Sequence, residues 1–102
     1  MGLDVELQDE SGVRIDSVAD PTNLLARLLQ AADQRTHPML ASIDPYGDTV
    51  FNTIQIQRFL SEWVDVAART QCPEECELVS RIQTLAHRCR NEAHLYLKFY
   101  GD

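Results

Sequence analysis

Leu3, Val5 and Leu7 alternate with Asp4, Glu6 and Gln8 at the start of the chain. A period of two predicts a strand with one apolar face. Asp9-Glu10-Ser11-Gly12 is turn chemistry, and Val13 to Asp16 alternate again. Residues 2–17 therefore read as a hairpin with a four-residue connection. Asp20 is a capping type, and Pro21 suits a first helical position, where the N–H it lacks would have no partner anyway. Leu24, Leu25, Leu28, Leu29 and Ala32 then repeat at helical spacing, with Arg27 and Gln30 turned away. The pattern predicts an amphipathic helix over 21–33.

Residues 34–48 show no period. His37-Pro38 suits a short helical turn carrying Met39, Leu40 and Ile43. Asp44-Pro45-Tyr46-Gly47-Asp48 has proline and glycine placed for a tight turn. Thr49-Val50-Phe51 is a short strand or an extended lead-in. From Ile54 to Arg69 a second helix puts Ile56, Phe59, Leu60, Trp63, Val66 and Ala67 on one face. Arg58/Glu62 and Asp65/Arg69 are spaced to pair on the other. Pro73 opens a third helix with Glu74, Glu75 and Glu77 in its first turns, where the dipole favours negative charge. Leu78, Ile82, Leu85, Ala86 and Cys89 form its apolar stripe, and Glu77 and Arg81 can pair outside. Within His94–Tyr100, Leu95, Leu97 and Phe99 alternate with polar neighbours, which predicts a last strand paired with the hairpin.

The expected fold is one α+β domain over residues 1–102. A small antiparallel sheet, the N-terminal hairpin plus the C-terminal strand, packs on three main helices. The other sheet face would carry Asp4, Glu6, Gln8, His94, Tyr96, Lys98 and Tyr100. A polar face with tyrosines suits an interface. Tyr-Gly-Asp occurs at 46–48 and again at 100–102, but the flanks do not match, so it marks no duplication.

Composition sharpens this picture by exclusion. The 102 residues are 44 % hydrophobic and 25 % charged, ordinary values for a globular domain. The net charge of −7 argues against nucleic acid, because phosphate binding needs a basic surface; it fits a soluble monomer, kept so by its charge, or a binder of basic partners. No apolar run is long enough to span a bilayer. Met1 to Glu6 has neither the basic start nor the apolar stretch of a secretory leader, and Glu6 breaks the myristoylation pattern. The expected location is cytoplasmic.

Chemistry-bearing motifs are sparse. Cys72-Pro73-Glu74-Glu75-Cys76 departs from the Cys-x-x-Cys spacing of zinc and redox motifs. His87 and Cys89 would have to complete a zinc site, yet on a continuous helix His87 lies about 16 Å along the axis from Cys76. No metal and no cofactor is expected. A thiolate at a helix start is a candidate nucleophile, so Cys72 could serve a small enzyme, with His37 as the base the fold would have to supply. Asp44 and Asp48 could form a carboxylate pair, but setting the turn and bonding local backbone is the simpler role. There is no phosphate-binding glycine loop, no Gly-x-Ser-x-Gly and no His-Glu-x-x-His.

With Gly-Leu-Asp-Val-Glu-Leu at 2–7, Ile-Asp-Pro-Tyr-Gly-Asp-Thr-Val-Phe-Asn at 43–52 and Tyr-Leu-Lys-Phe-Tyr-Gly-Asp at 96–102, the chain resembles a family of small uncharacterised bacterial proteins. That resemblance implies no activity and no catalytic residues. Some small acidic bacterial proteins of this kind are immunity proteins for toxins, an analogy of size and charge. The expected function is a non-enzymatic protein-binding module, in its sharpest form an immunity- or antitoxin-like inhibitor of a basic partner. Asp4, Glu6, Tyr46, Asp48, Tyr96 and Tyr100 are its candidate contact residues. The alternatives are a small enzyme using Cys72 or Asp44/Asp48, and an accessory subunit forming a homodimer through its last strand.

Overall fold

β1 (Asp4–Asp9) turns into β2 (Arg14–Val18) through a hairpin set by Asp9. The Asp9 carboxylate accepts hydrogen bonds from the amides of Ser11 at 2.9 Å and Val13 at 3.0 Å. Gly12 takes the left-handed backbone (φ 83°) that closes the turn, a conformation costly for any residue with a Cβ. The structure, a computed structural model, describes residues 3–20, 24–30 and 32–101. The expected first helical position at Pro21, the start of the hairpin at Gly2 and the Asp102 of the second Tyr-Gly-Asp lie outside the described residues.

The alternation in β1 holds for Leu3, Val5 and Leu7, which are buried, but Gln8 on the opposite face is buried too. That in β2 does not hold. Val5 faces Val18 and Leu7 faces Asp16, but Gln8 faces Arg14, so Ile15 has no partner at a break in register. One extra residue in a strand shifts everything beyond it. Val13 and Ile15, expected on the apolar face, are instead 59 % and 42 % exposed, and Val18 carries the burial.

α1 spans Leu24–Leu29 and buries Leu25 and Leu28. Asp20 caps it as expected: its two carboxylate oxygens accept from the amides of Leu24 (2.9 Å) and Leu25 (2.7 Å). α2 (Pro38–Ala41) is the single turn anticipated after His37. β3 (Asp48–Phe51) follows, then α3 (Thr53–Ala68). Asn52 and Gln55 bond each other's backbone amides at the start of α3, a reciprocal capping box. α4 (Pro73–Asn91) runs from Cys72, and β4 (Leu95–Tyr100) closes the chain's described part. His94, expected to begin the last strand, sits in the preceding turn at φ 64°.

Among the described residues the strands form one antiparallel sheet in the order β2-β1-β4-β3. The fold is α+β, with one more strand than the hairpin and tail supply. β3 pairs with β4, Asp48 facing Tyr100 and Phe51 facing Leu97. β4 therefore lies between two neighbours and has no free edge for self-pairing. α3 and α4 pack together and onto one face of the sheet. Phe51, Phe59 and Phe99 have ring centroids 5.5–5.8 Å apart, and Trp63 stacks on Phe59 at 5.1 Å. The indole N–H of Trp63 donates to the Val79 carbonyl at 3.1 Å, so the largest buried ring is also satisfied.

Two polar groups of the helical layer depart from their expected places. Arg58 and Glu62 pair at 2.9 Å as spaced, but Glu62 is 3 % exposed rather than surface-lying. Its carboxylate accepts from the amides of Met39 (3.0 Å) and Leu40 (3.1 Å), docking the start of α2 on α3. Arg69 also departs from expectation. Its Nε donates to the Asp65 backbone carbonyl at 3.2 Å, not to its carboxylate.

Candidate functional site: the open face of the sheet

In β4, Leu95, Leu97 and Phe99 are buried while Tyr96, Lys98 and Tyr100 are half-buried on the other side. Strand register then builds cross-sheet rows from the outward residues. Asp4, Tyr100 and Asp48 make one row. Ser17, Glu6, Lys98 and Val50 make the next, and Arg14, Gln8 and Tyr96 the third. Five of the six candidate contact residues thus converge: Asp4, Glu6, Asp48, Tyr96 and Tyr100.

The sixth, Tyr46, stands at the rim, 75 % exposed. Its turn is held from within: Asp44 Oδ1 accepts from the Tyr46 amide at 2.9 Å, and Thr49 Oγ1 accepts from the Asp44 amide at 2.9 Å. The turn is also tied to the end of β4, because the Gly101 amide donates to the Gly47 carbonyl at 2.7 Å. A Cβ on Gly101 would lie 2.7 Å from the Asp44 carbonyl oxygen and closer still to the Pro45 carbonyl. Glycine is required there by close backbone approach. The two Tyr-Gly pairs, remote in sequence, end up as neighbours through this contact.

The face is internally paired. Gln8 Nε2 donates to the Tyr100 hydroxyl at 2.6 Å and to Glu6 Oε1 at 2.9 Å, linking all three rows. Lys98 Nζ lies 4.5 Å from the centre of the Tyr100 ring and 3.7 Å from Asp48 Oδ2. Hydrogen bonding to Tyr100 first, and the Asp48 carboxylate after it, hold the Lys98 pKa above its ordinary range. Arg14 reaches Glu6 at 4.0 Å. Asp44 sets the turn as expected, whereas Asp48, expected to bond local backbone, faces the Lys98 ammonium instead. Lys98 and Gln8 were legible as members of this face from the period of two. Arg14 was not, because the register break in β2 decides its row. His94, expected here, turns its Nδ1 to Glu10 at 3.2 Å.

The enzymatic candidates find less support. Asp44 and Asp48 point to different tasks, as above. Cys72 is half-buried at the start of α4. His37 does not serve it: its Nε2 is 2.7 Å from Asp65 Oδ2, and its Nδ1 is 3.1 Å from Thr36 Oγ1. Thr36, His37 and Asp65 have the hydroxyl–imidazole–carboxylate order of a nucleophilic relay. The amides beside them, on Met39 and Leu40, are already filled by Glu62, so they cannot receive a developing oxyanion. A cavity of about 340 Å³ beside α1 and α2 is lined by Leu3, Leu29, Leu40 and Ile43, with Gln30 and Gln34. Among the described residues lining it, none is charged.

Among the described residues, no group of three or more His, Cys, Asp or Glu side chains is placed to hold a metal ion. No helix there is long and apolar enough to cross a membrane. No family model matches the chain, no curated protein matches it, and no solved structure matches it. The likeness to small bacterial proteins rests on its quoted residues alone.

Proposed function

We propose that this chain is a non-enzymatic protein-binding module that uses the open sheet face and the Tyr46 turn against a partner with a basic surface. An immunity- or antitoxin-like inhibitor is the specific form of that role. One observation carries the reading: the uncovered face gathers Asp4, Glu6, Asp48, Tyr96 and Tyr100 in adjacent rows, with Tyr46 at their edge. Tyrosines supply large contact area at low entropic cost, and the net charge of −7 steers cations toward the molecule. The Asp48–Lys98 and Glu6–Arg14 pairs do not block this. Each pair joins an exposed side chain to a half-buried one at 3.7–4.0 Å, and surface ion pairs contribute about 0–1 kcal/mol, so a partner's arginines can displace them at little cost.

The test starts from tagging the protein in cells that produce it and identifying what co-purifies. Association of the purified partner is then followed with Asp4→Lys, Glu6→Lys and Asp48→Lys. The expected result is a slower on-rate with a shallower salt dependence, since rim charges act chiefly on encounter. On-rates equal to the parent's in all three variants would remove the open face as the binding surface.

A further inference from the structure

Cys72 and Cys76 are the two thiols outside the core, at the start of α4. Cys72 is half-buried and Cys76 is exposed, whereas Cys89 is fully buried. The Cys76 amide donates to the Cys72 carbonyl at 3.1 Å, so the two residues span one helical turn. That turn sets their Cα atoms about 6 Å apart by helix geometry, inside the 4.4–6.8 Å range that a disulfide bridges. Cys72 has an extended backbone, and its side chain caps no amide but bonds the Glu74 carboxylate beside it. The Cys76 thiol lies back over the same end of the helix, 3.1 Å from Thr70 Oγ1. Neither cysteine belongs to the hydrophobic core.

We infer that Cys72 and Cys76 form a dithiol that closes reversibly to an intramolecular disulfide by exchange with low-molecular-weight disulfides. The Cys76 thiolate, the more accessible, attacks one sulfur of the small disulfide. That S–S bond breaks, one thiol leaves with the electron pair and takes up a proton, and a mixed disulfide remains on Cys76. The Cys72 thiolate then attacks the Cys76 sulfur and expels the second small thiol. The protein pair is oxidised by two electrons, and the small disulfide is reduced to two thiols. The inference rests on the geometry of this turn and is independent of the open-face reading.

The probe is oxidised glutathione added to the reduced full-length chain, read by intact mass and by peptide mapping. The expected product has lost the mass of two hydrogens, contains a Cys72–Cys76 linked peptide, and leaves Cys89 reduced. Dithiothreitol returns the starting mass. In Cys72→Ser and in Cys76→Ser, the remaining thiol should instead retain one glutathione, because no second thiol is there to expel it. Wild-type protein that accumulates stable glutathione adducts on both cysteines, or that does not react at all, would overturn the inference. So would cross-linking between chains in place of the internal bond.

Discussion

Replacing Glu62 by alanine should be among the most damaging single changes outside the hydrophobic core. The carboxylate is 3 % exposed and receives two backbone amides of α2 and the Arg58 guanidinium, all at 2.9–3.1 Å. Alanine removes the acceptor shared by the buried Leu40 amide and the part-buried Met39 amide. An unsatisfied buried amide costs about 1–3 kcal/mol, whereas the Arg58 guanidinium, 55 % exposed, returns to water at little cost. With two amides losing their acceptor, the expected total is about 2–4 kcal/mol. In a domain of this size each kcal/mol lowers Tm by about 4–8 °C, so a fall of at least about 8 °C should appear in a thermal melt. Glu62→Gln separates the contributions. Its carboxamide oxygen can still accept from Met39 and Leu40, but its NH₂ meets Arg58 donor to donor, and the loss should be smaller. Amide exchange adds a local readout, since Met39 and Leu40 should lose protection in Glu62→Ala before the sheet does. A Glu62→Ala protein within about 0.5 kcal/mol of the parent, the usual range for surface changes, would refute the claim that this carboxylate docks α2.

Gly101→Ala should destabilise by about 1–3 kcal/mol, the usual cost of overpacking, because its Cβ meets the Pro45 and Asp44 carbonyls; a urea titration measures it. Asp20→Ala should lose about 1–2 kcal/mol as the Leu24 and Leu25 amides lose their acceptor, read by the same titration. Burial pushes the Cys89 thiol up to about 11, so alkylation at pH 8 should label Cys76 far faster than Cys89. The sign of the linked stability follows. The unfolded thiol loses its proton first, near 9, so the native state holds more protons between about 9 and 11. That contribution is complete below 9 and is lost as pH rises toward 11, a decline that Cys89→Ala should not share.

Long periodic segments were readable from sequence because their burial is decided by their own spacing. The stripe of Ile56, Phe59, Trp63 and Val66 and that of Leu78, Ile82, Leu85 and Cys89 are buried as expected. So are Leu95, Leu97 and Phe99. β3 was readable only as a short strand or an extended lead-in, because Thr49-Val50-Phe51 is too short to show a period; pairing with β4 makes it a strand. Ile15 escaped because a register break depends on what the partner strand offers. Glu62 was misplaced because helical spacing sorts charged residues outward. The demand for its carboxylate comes from α2 amides more than twenty positions away. The candidate face was readable for β1 and β4, whose alternation is clean. That β3 would bring Asp48 beside Tyr100 was not, and neither was the Gly101 contact that anchors Tyr46 nearby.

The middle position of β4 in the sheet governs how the protein can be made. Residues 95–100 emerge from the ribosome after every other element described here, yet they are the seam that joins the hairpin to β3. Until they arrive, β1 shows an open edge and β3 has no neighbour at all. Such unpaired edges invite association with other chains. The nascent protein can form its hairpin and its α3–α4 pair early, but the sheet must wait for the tail. Removing β4, residues 95–100, would split the sheet through its centre rather than shorten it, leaving a hairpin on one side and a lone β3 on the other.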